Sequence, residues 1–277
     1  MTPAGQCAEA LIAELGVSSP DDLDVDAIAF DSSVKVVYEP LTGCEATLVG
    51  YGAHAIATIN PSPVRGRERF SVAHELGHWH RHRGRSFQCR VDDPDTSIAS
   101  DRTLEREADT FASHLLMPGP MFNPLVRQLG KPNFKQLADL AGQFETSLMA
   151  TALRLASINT LPVIVACYGK NGRRWQLAAE DIPRRWFLKG KLDSDTFTYD
   201  LLNEGKECRT LSKQPADAWF ETEGADRFEV FEQCIASHAG QALVLLYLDS
   251  AMLEPSYGRT SRGSQHSDED VRAPWER

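Results

Sequence analysis

Three titratable residues stand together in the segment Phe70-Ser-Val-Ala-His-Glu-Leu-Gly-His-Trp79: His74, Glu75 and His78. Their H-E-x-x-H spacing has a definite chemical reading. Residues four apart lie on one face of a helix, so His74 and His78 can direct both imidazoles at one ion. Glu75 comes one position after His74. There its carboxylate can take a proton from an attacking water and return it to a departing amine. Phe70, Val72, Ala73, Leu76 and Trp79 are apolar, as a helix buried beneath a cleft requires.

A catalytic zinc ion takes three protein ligands and keeps one position open. The stretch able to supply the third runs Leu104-Glu-Arg-Glu-Ala-Asp-Thr-Phe-Ala-Ser-His-Leu-Leu-Met-Pro118. Ala108, Phe111, Ala112, Leu115 and Leu116 recur at helical spacing, which predicts a helix ended by Pro118. Glu105 and Asp109 are one turn apart, so one can bind the ion while the other braces the site. Glu107 falls on another face and is the weaker candidate. His82 continues the face of His74 and His78 in a supporting role, whereas His80 and His114 point elsewhere. His54 reads as an ordinary, partly buried histidine on a strand.

The elements around these helices follow from periodicity. Ala8–Leu15 and Asp24–Phe30 read as short helices, and Val34–Tyr38 and Ala53–Asn60 as strands. The second of these strands is the candidate for holding an extended substrate as an added strand. Between Asn133 and Ile158, Leu137, Ala138, Ala141, Leu148, Ala152 and Leu155 recur at helical spacing, with a break at Gly142. The texture changes at Leu161-Pro-Val-Ile-Val-Ala-Cys-Tyr168, the first of several β-rich runs. Arg174–Ala178 and Gln241–Leu248 read as strands, and Phe228–Ser237 as helix-like. Strands and helices mixed in this way define an α+β class. After Pro255 the chain is polar and rich in turn formers, the composition of a disordered tail.

A chain of 277 residues with 42% hydrophobic content can bury a sizeable core and hold two domains. Its net charge of −10 argues against coating DNA by bulk attraction. No apolar run is long enough to span a membrane, and the first residues lack a basic-then-apolar signal. The six cysteines are scattered without a C-x-x-C pair, which suits reduced thiols in a cytoplasm.

The run from Ile56 to Pro118 resembles the ImmA/IrrE family of metallopeptidases. The matching letters are Arg67-Glu-Arg-Phe70 leading into His74-Glu-Leu-Gly-His78, then His82, Glu105-Arg-Glu-Ala-Asp109, Phe111-Ala112 and Leu115-Leu-Met-Pro118. The resemblance implies a gluzincin-like site binding Zn2+ through His74, His78 and Glu105, with Glu75 catalytic and Asp109 orienting a ligand histidine. It implies a metallopeptidase domain at 1–125, a helix-turn-helix-like segment at 126–160 and a small GAF-like sensory domain at 161–254, with the disordered tail at 255–277. The implied substrate is a helix-turn-helix transcriptional repressor whose cleavage derepresses stress, DNA-damage or mobile-element genes. A CapP-type branch, which accompanies anti-phage systems, is one form of that expectation.

Two further features bear on control. Cys89 lies in the loop between the two metal-binding helices, and its thiolate could fill the open zinc position and keep the enzyme latent. Arg65, Arg67, Arg69, Arg81, Arg83, Arg85 and Arg90 surround the zinc motif. A second cluster, Lys170, Arg173, Arg174, Arg184, Arg185, Lys189 and Lys191, is interleaved with Trp175, Trp186 and Phe187. Cations beside aromatic faces predict single-stranded DNA as an activator, contacted by Arg173, Arg174, Arg184, Arg185, Lys189 and Lys191. The rival reading is a non-proteolytic, zinc-containing sensor that releases a partner. An intact Glu75 argues against it, since a closed structural site has no use for that carboxylate.

Overall fold

The computed structural model describes residues 1–83, 87–89 and 99–254, with backbone alone at 87–89, 99–101 and 239. The tail expected at 255–277 and the basic residues Arg85 and Arg90 lie outside the described residues. The chain divides into two compact units. Among the described residues, one comprises Met1–Leu125 with Ala138–Thr151, and the other Val126–Leu137 with residues 152–254. The helices of the 126–160 segment are thereby shared out between the two units.

In the first unit, α1 (Pro3–Glu14) starts at Thr2, whose hydroxyl accepts from Gly5 N at 3.2 Å, with Pro3 pre-set for the first turn. Helix α2 (Val25–Asp31) is capped by Asp24, which accepts from Asp26 N and Ala27 N at 3.0 and 3.2 Å. Strands β1 (Val34–Tyr38), β2 (Ala46–Tyr51), β3 (His54–Ile59) and β4 (Phe87–Cys89) form a sheet ordered β1-β3-β2-β4. β3 is parallel to β1 and antiparallel to β2. Both of its edges are occupied, so β3 cannot accept an added substrate strand as the sequence reading expected. The edges of this sheet are β1 and β4.

Helix α3 (Arg65–Arg81) carries the H-E-x-x-H residues, and α4 (Ala99–Leu116) carries Glu105 and Asp109. No side chain caps α3; instead Glu68 in its first turn reaches back and accepts from Ser62 N at 2.8 Å. α3 packs along α4 and over β2 and β3, while α1 packs along α4. Val72, Ala73, Leu76 and Trp79 of α3 share one core with Phe111, Ala112, Leu115 and Leu116 of α4 and Ala4, Ala8 and Ile12 of α1.

Helices α5 (Gly119–Leu129), α6 (Phe134–Gln143) and α7 (Leu148–Ser157) follow. The second unit is built on strands β5 (Val163–Gly169), β6 (Gly172–Ala178), β7 (Cys208–Pro215), β8 (Glu229–Ser237) and β9 (Gln241–Leu248), ordered β6-β5-β9-β8-β7 and antiparallel throughout. From Val163 to Tyr168 and from Ala242 to Leu248 every residue is buried, so the central strands are covered on both faces. Helix α8 (Phe197–Glu204) packs on β8 and β9.

The stretch 228–237, expected as helix-like, is strand β8. Its alternation is obscured because Glu232 and Gln233 are both buried. Glu232 accepts from Thr198 N and Oγ1, each at 2.7 Å, and from Phe197 N and Trp219 Nε1, each at 3.2 Å. Gln233 Oε1 accepts from Phe134 N at 2.8 Å, and its amide donates to Arg209 O at 2.9 Å. Polar residues placed inside to serve other segments broke the strand pattern.

Candidate metal centre

The site is set by how closely α3 approaches α4. A Cβ added at Gly77 would lie 2.9 Å from Ala108 Cα and 3.0 Å from Ala108 O, so only glycine lets the two backbones meet there. This contact sits between His74 and His78 on one helix and beside Asp109 on the other. It brings Glu105 within reach of both imidazoles.

His74 Nε2 and His78 Nε2 lie 3.1 Å apart. The Glu105 carboxylate is 3.1 Å from His74 Nε2 and 3.4 Å from His78 Nε2. Behind His74, Asp109 Oδ1 is 2.9 Å from Nδ1. Behind His78, Nδ1 is 3.1 Å from His82 Nδ1, and His82 Nε2 is 3.3 Å from Glu107 Oε2. Each ligand-type histidine therefore turns Nε2 inward while its other nitrogen is braced, the arrangement that fixes tautomer and ring orientation in metal sites. Glu75 and His78 are fully buried.

Among the described residues, His74, His78 and Glu105 are the group whose ligand atoms could hold a metal, all within 4.8 Å of one another. Two imidazoles and a carboxylate are a zinc-type donor set. The protonation of His78 and Glu105 agrees. Burial holds the His78 imidazole down to about 4, against an opposing hydrogen bond that it donates to Glu105. Burial alone would raise the Glu105 carboxyl, but hydrogen bonds from His74 and His78 bring it below the ordinary carboxylate range. A neutral His78 imidazole with an ionised Glu105 carboxylate suits metal binding. Of the two acids that spacing left open, Glu105 lies in the group that could hold a metal and Asp109 lies behind His74.

The other candidates fall elsewhere. Cys89 ends strand β4 opposite Ala46, rather than lying in a loop, and its side chain is outside the described residues. His54 is exposed on β3 rather than partly buried. His80 stacks on Phe111 with centroids 5.5 Å apart, and His114 Nδ1 is 2.7 Å from Glu9 Oε1. The basic residues around α3 are engaged within the unit. Arg65 and Arg69 pair with Glu145 at 3.1 and 3.2 Å, Arg81 pairs with Glu107 at 3.4 Å, and Arg83 lies over the Trp79 ring. In the second cluster, Trp175 and Trp186 are buried core residues, so neither offers a stacking face. Arg173 lies over Phe187 at 4.3 Å and donates to Leu188 O, Arg185 donates to Met252 O, and Lys189 pairs with Asp193 at 2.9 Å. Arg174, Arg184 and Lys191 are exposed.

Sequence reasoning missed two contributors. In the sequence Gly77 stands only as a motif letter, although a glycine facing Ala108 of a second helix marks close helix contact. Glu107 lies off the ligand face, and its partnership with His82 follows from asking what braces the third histidine of the α3 face.

Residues 31–156 match the family model of the IrrE N-terminal-like domain, peptidase family M78. Over this segment the chain is similar to the ImmA/IrrE family. A particular relative is the radiation response metalloprotease IrrE of Deinococcus radiodurans, 28% identical over 130 residues, which is 46% of this chain and 39% of that protein. The chain thus spans well under half the length of this curated relative. A Mycobacterium tuberculosis transcriptional regulator shares the fold with a TM-score of 0.61 at 16% identity, over 90% of this chain and 76% of that one. The family's cofactor is Zn2+, and the donor set on α3 and α4 fits it. No helix among the described residues is long and apolar enough to cross a membrane.

Proposed function

We propose that this protein is a zinc-dependent endopeptidase acting on another protein, with His74, His78 and Glu105 as ligands and Glu75 as general base and then acid. The observation that carries the reading is the inward-facing His74–His78–Glu105 group with buried Glu75 adjacent on α3. Zinc, when bound, supplies Lewis acidity that polarises a carbonyl and makes water easier to deprotonate. The chain's own residues do the rest. Asp109 holds His74 through Nδ1, and His82 with Glu107 holds His78. Glu75 takes the proton of the attacking water and delivers it to the leaving amine nitrogen.

For the substrate we propose a helix-turn-helix repressor whose cleavage switches on a stress response, anti-phage defence being one such setting. The name of the Deinococcus relative, a radiation response metalloprotease, supports this class of role. The second unit is read as a GAF-like sensory domain, supported by its five-stranded antiparallel sheet with α8 packed on it. Cys89 as a resting zinc ligand and single-stranded DNA as a trigger complete the proposal. For the trigger, Arg174, Arg184 and Lys191 with the exposed Phe187 are the surface a single strand would use.

The test is cleavage of the candidate repressor by wild type, Glu75→Gln and Cys89→Ala, each with and without single-stranded DNA, with zinc content measured. Glu75→Gln should keep its zinc and lose cleavage by about 10²–10⁴-fold. Cys89→Ala should cut without DNA. Indifference of the wild type to DNA together with an unchanged Cys89→Ala would remove the switch and leave the peptidase. Failure of every zinc-loaded form to cut would favour the partner-releasing module.

A further inference from the structure

The second unit contains a pair of sulfurs that the zinc chemistry does not use. Cys208 opens β7, the edge strand of its sheet, and Cys234 lies directly opposite it in β8. Opposed residues of an antiparallel pair have Cα atoms about 4.5–5.5 Å apart, inside the roughly 4.4–6.8 Å that a disulfide bridges. Both are free thiols, and Cys208 Sγ donates to Thr210 O at 3.2 Å. No other strand pairing among the described residues sets two cysteines opposite: Cys89 faces Ala46, and Cys167 faces Trp175 and Leu243.

The partners differ in the way that oxidation chemistry needs. Cys234 is fully buried, whereas Cys208 is half-buried at the sheet edge, where the β7 register is broken between Cys208 and Ser212. The Cys234 thiol beside it draws the Cys208 thiol below its ordinary value. The same contact, with burial, pushes Cys234 up. An accessible sulfur at a strand edge, next to a shielded sulfur that can resolve it, is how redox-sensing cysteines are built.

We propose that Cys208 and Cys234 form a peroxide-responsive dithiol that closes to a cross-strand disulfide. In the first step the Cys208 thiolate attacks a hydroperoxide oxygen. The O–O bond breaks, hydroxide leaves and takes up a proton as water, and Cys208 becomes a sulfenic acid. In the second, Cys234 loses its proton and attacks the Cys208 sulfur, and the sulfenic oxygen leaves as a second water. Two thiols give up two electrons and hydrogen peroxide accepts them. The product ties the irregular start of the edge strand to β8. This inference is independent of the peptidase reading.

The experiment treats the full chain with hydrogen peroxide under native conditions, alkylates the remaining thiols, and maps the peptides without reduction. The expected result is loss of two alkylatable thiols and a cross-linked pair of peptides containing Cys208 and Cys234. Cys234→Ser should instead accumulate a Cys208 sulfenic acid captured by dimedone, and Cys208→Ser should leave Cys234 fully alkylatable. A linkage through any other cysteine, survival of both thiols, or equally fast linkage in the urea-unfolded chain would overturn the proposal. Circular dichroism of the two variants confirms that they are folded when treated.

Discussion

At the scale of single residues, the metal-type histidines depend on what stands behind them. His74 is held by Asp109 at 2.9 Å, and His78 by His82 at 3.1 Å. Removing such a brace typically costs about 10–100-fold in metal affinity. Asp109→Ala should therefore weaken zinc binding by about that factor in a chelator competition while leaving the fold intact. Unchanged affinity would show that packing alone fixes the His74 ring. The residues of the centre were legible in the sequence because a helix repeats every 3.6 residues, which made the positions of His74, His78, Glu105 and Asp109 arithmetic. Which of the two acids joins the two histidines was not legible in the spacing, because it depends on the relative rotation of two helices; the family resemblance alone pointed to Glu105.

At the scale of elements, two glycines of equal appearance have opposite roles. Gly77→Ala drives a methyl group to 2.9 Å from Ala108 Cα, so α3 and α4 must separate. Overpacking of this kind costs about 1–3 kcal/mol, and the loss should appear in denaturant titration together with weaker zinc binding. Gly142, exposed in α6 with nothing within 4 Å of an added Cβ, should tolerate alanine or gain about 0.4–1 kcal/mol. Equal effects at the two positions would sink the close-approach account. β1, α3 and most of α4 could be read from periodicity. β8 could not, because buried Glu232 serves the start of α8 and Trp219. Glu232→Ala should cost about 1–3 kcal/mol or more by orphaning those donors. Burial raises the Glu232 carboxyl above its ordinary 4.5, against hydrogen bonds from Thr198, Phe197 and Trp219. A raised folded value means the native state holds the proton more tightly. Its contribution is therefore present at acid pH and is lost as pH rises from about 4.5 through the folded value. The stability of wild type relative to Glu232→Gln should fall over that window in a pH series of unfolding curves; a rising difference would reverse the assignment.

At the scale of the whole molecule, a ligand that binds only the folded form stabilises it by mass action, about 4 kcal/mol at a thousandfold excess over Kd. Stripping the metal with a chelator should lower the unfolding temperature of the unit containing α3 and α4, and re-adding zinc should restore it. A melting profile indifferent to the chelator would argue against the site. The match to the family begins at residue 31, yet the unit that holds the site begins earlier. Helix α1 lies wholly before the matched segment. Ala4, Ala8 and Ile12 fill the core shared with α4, and Glu9 takes hold of both His114 and Gly119 N. Where homology is detectable and where the compact unit begins are thus different boundaries in this chain. An expression fragment cut at residues 31–156 would bare the flank of the helix that carries Glu105 and Asp109, and is expected to aggregate unless the first thirty residues are restored.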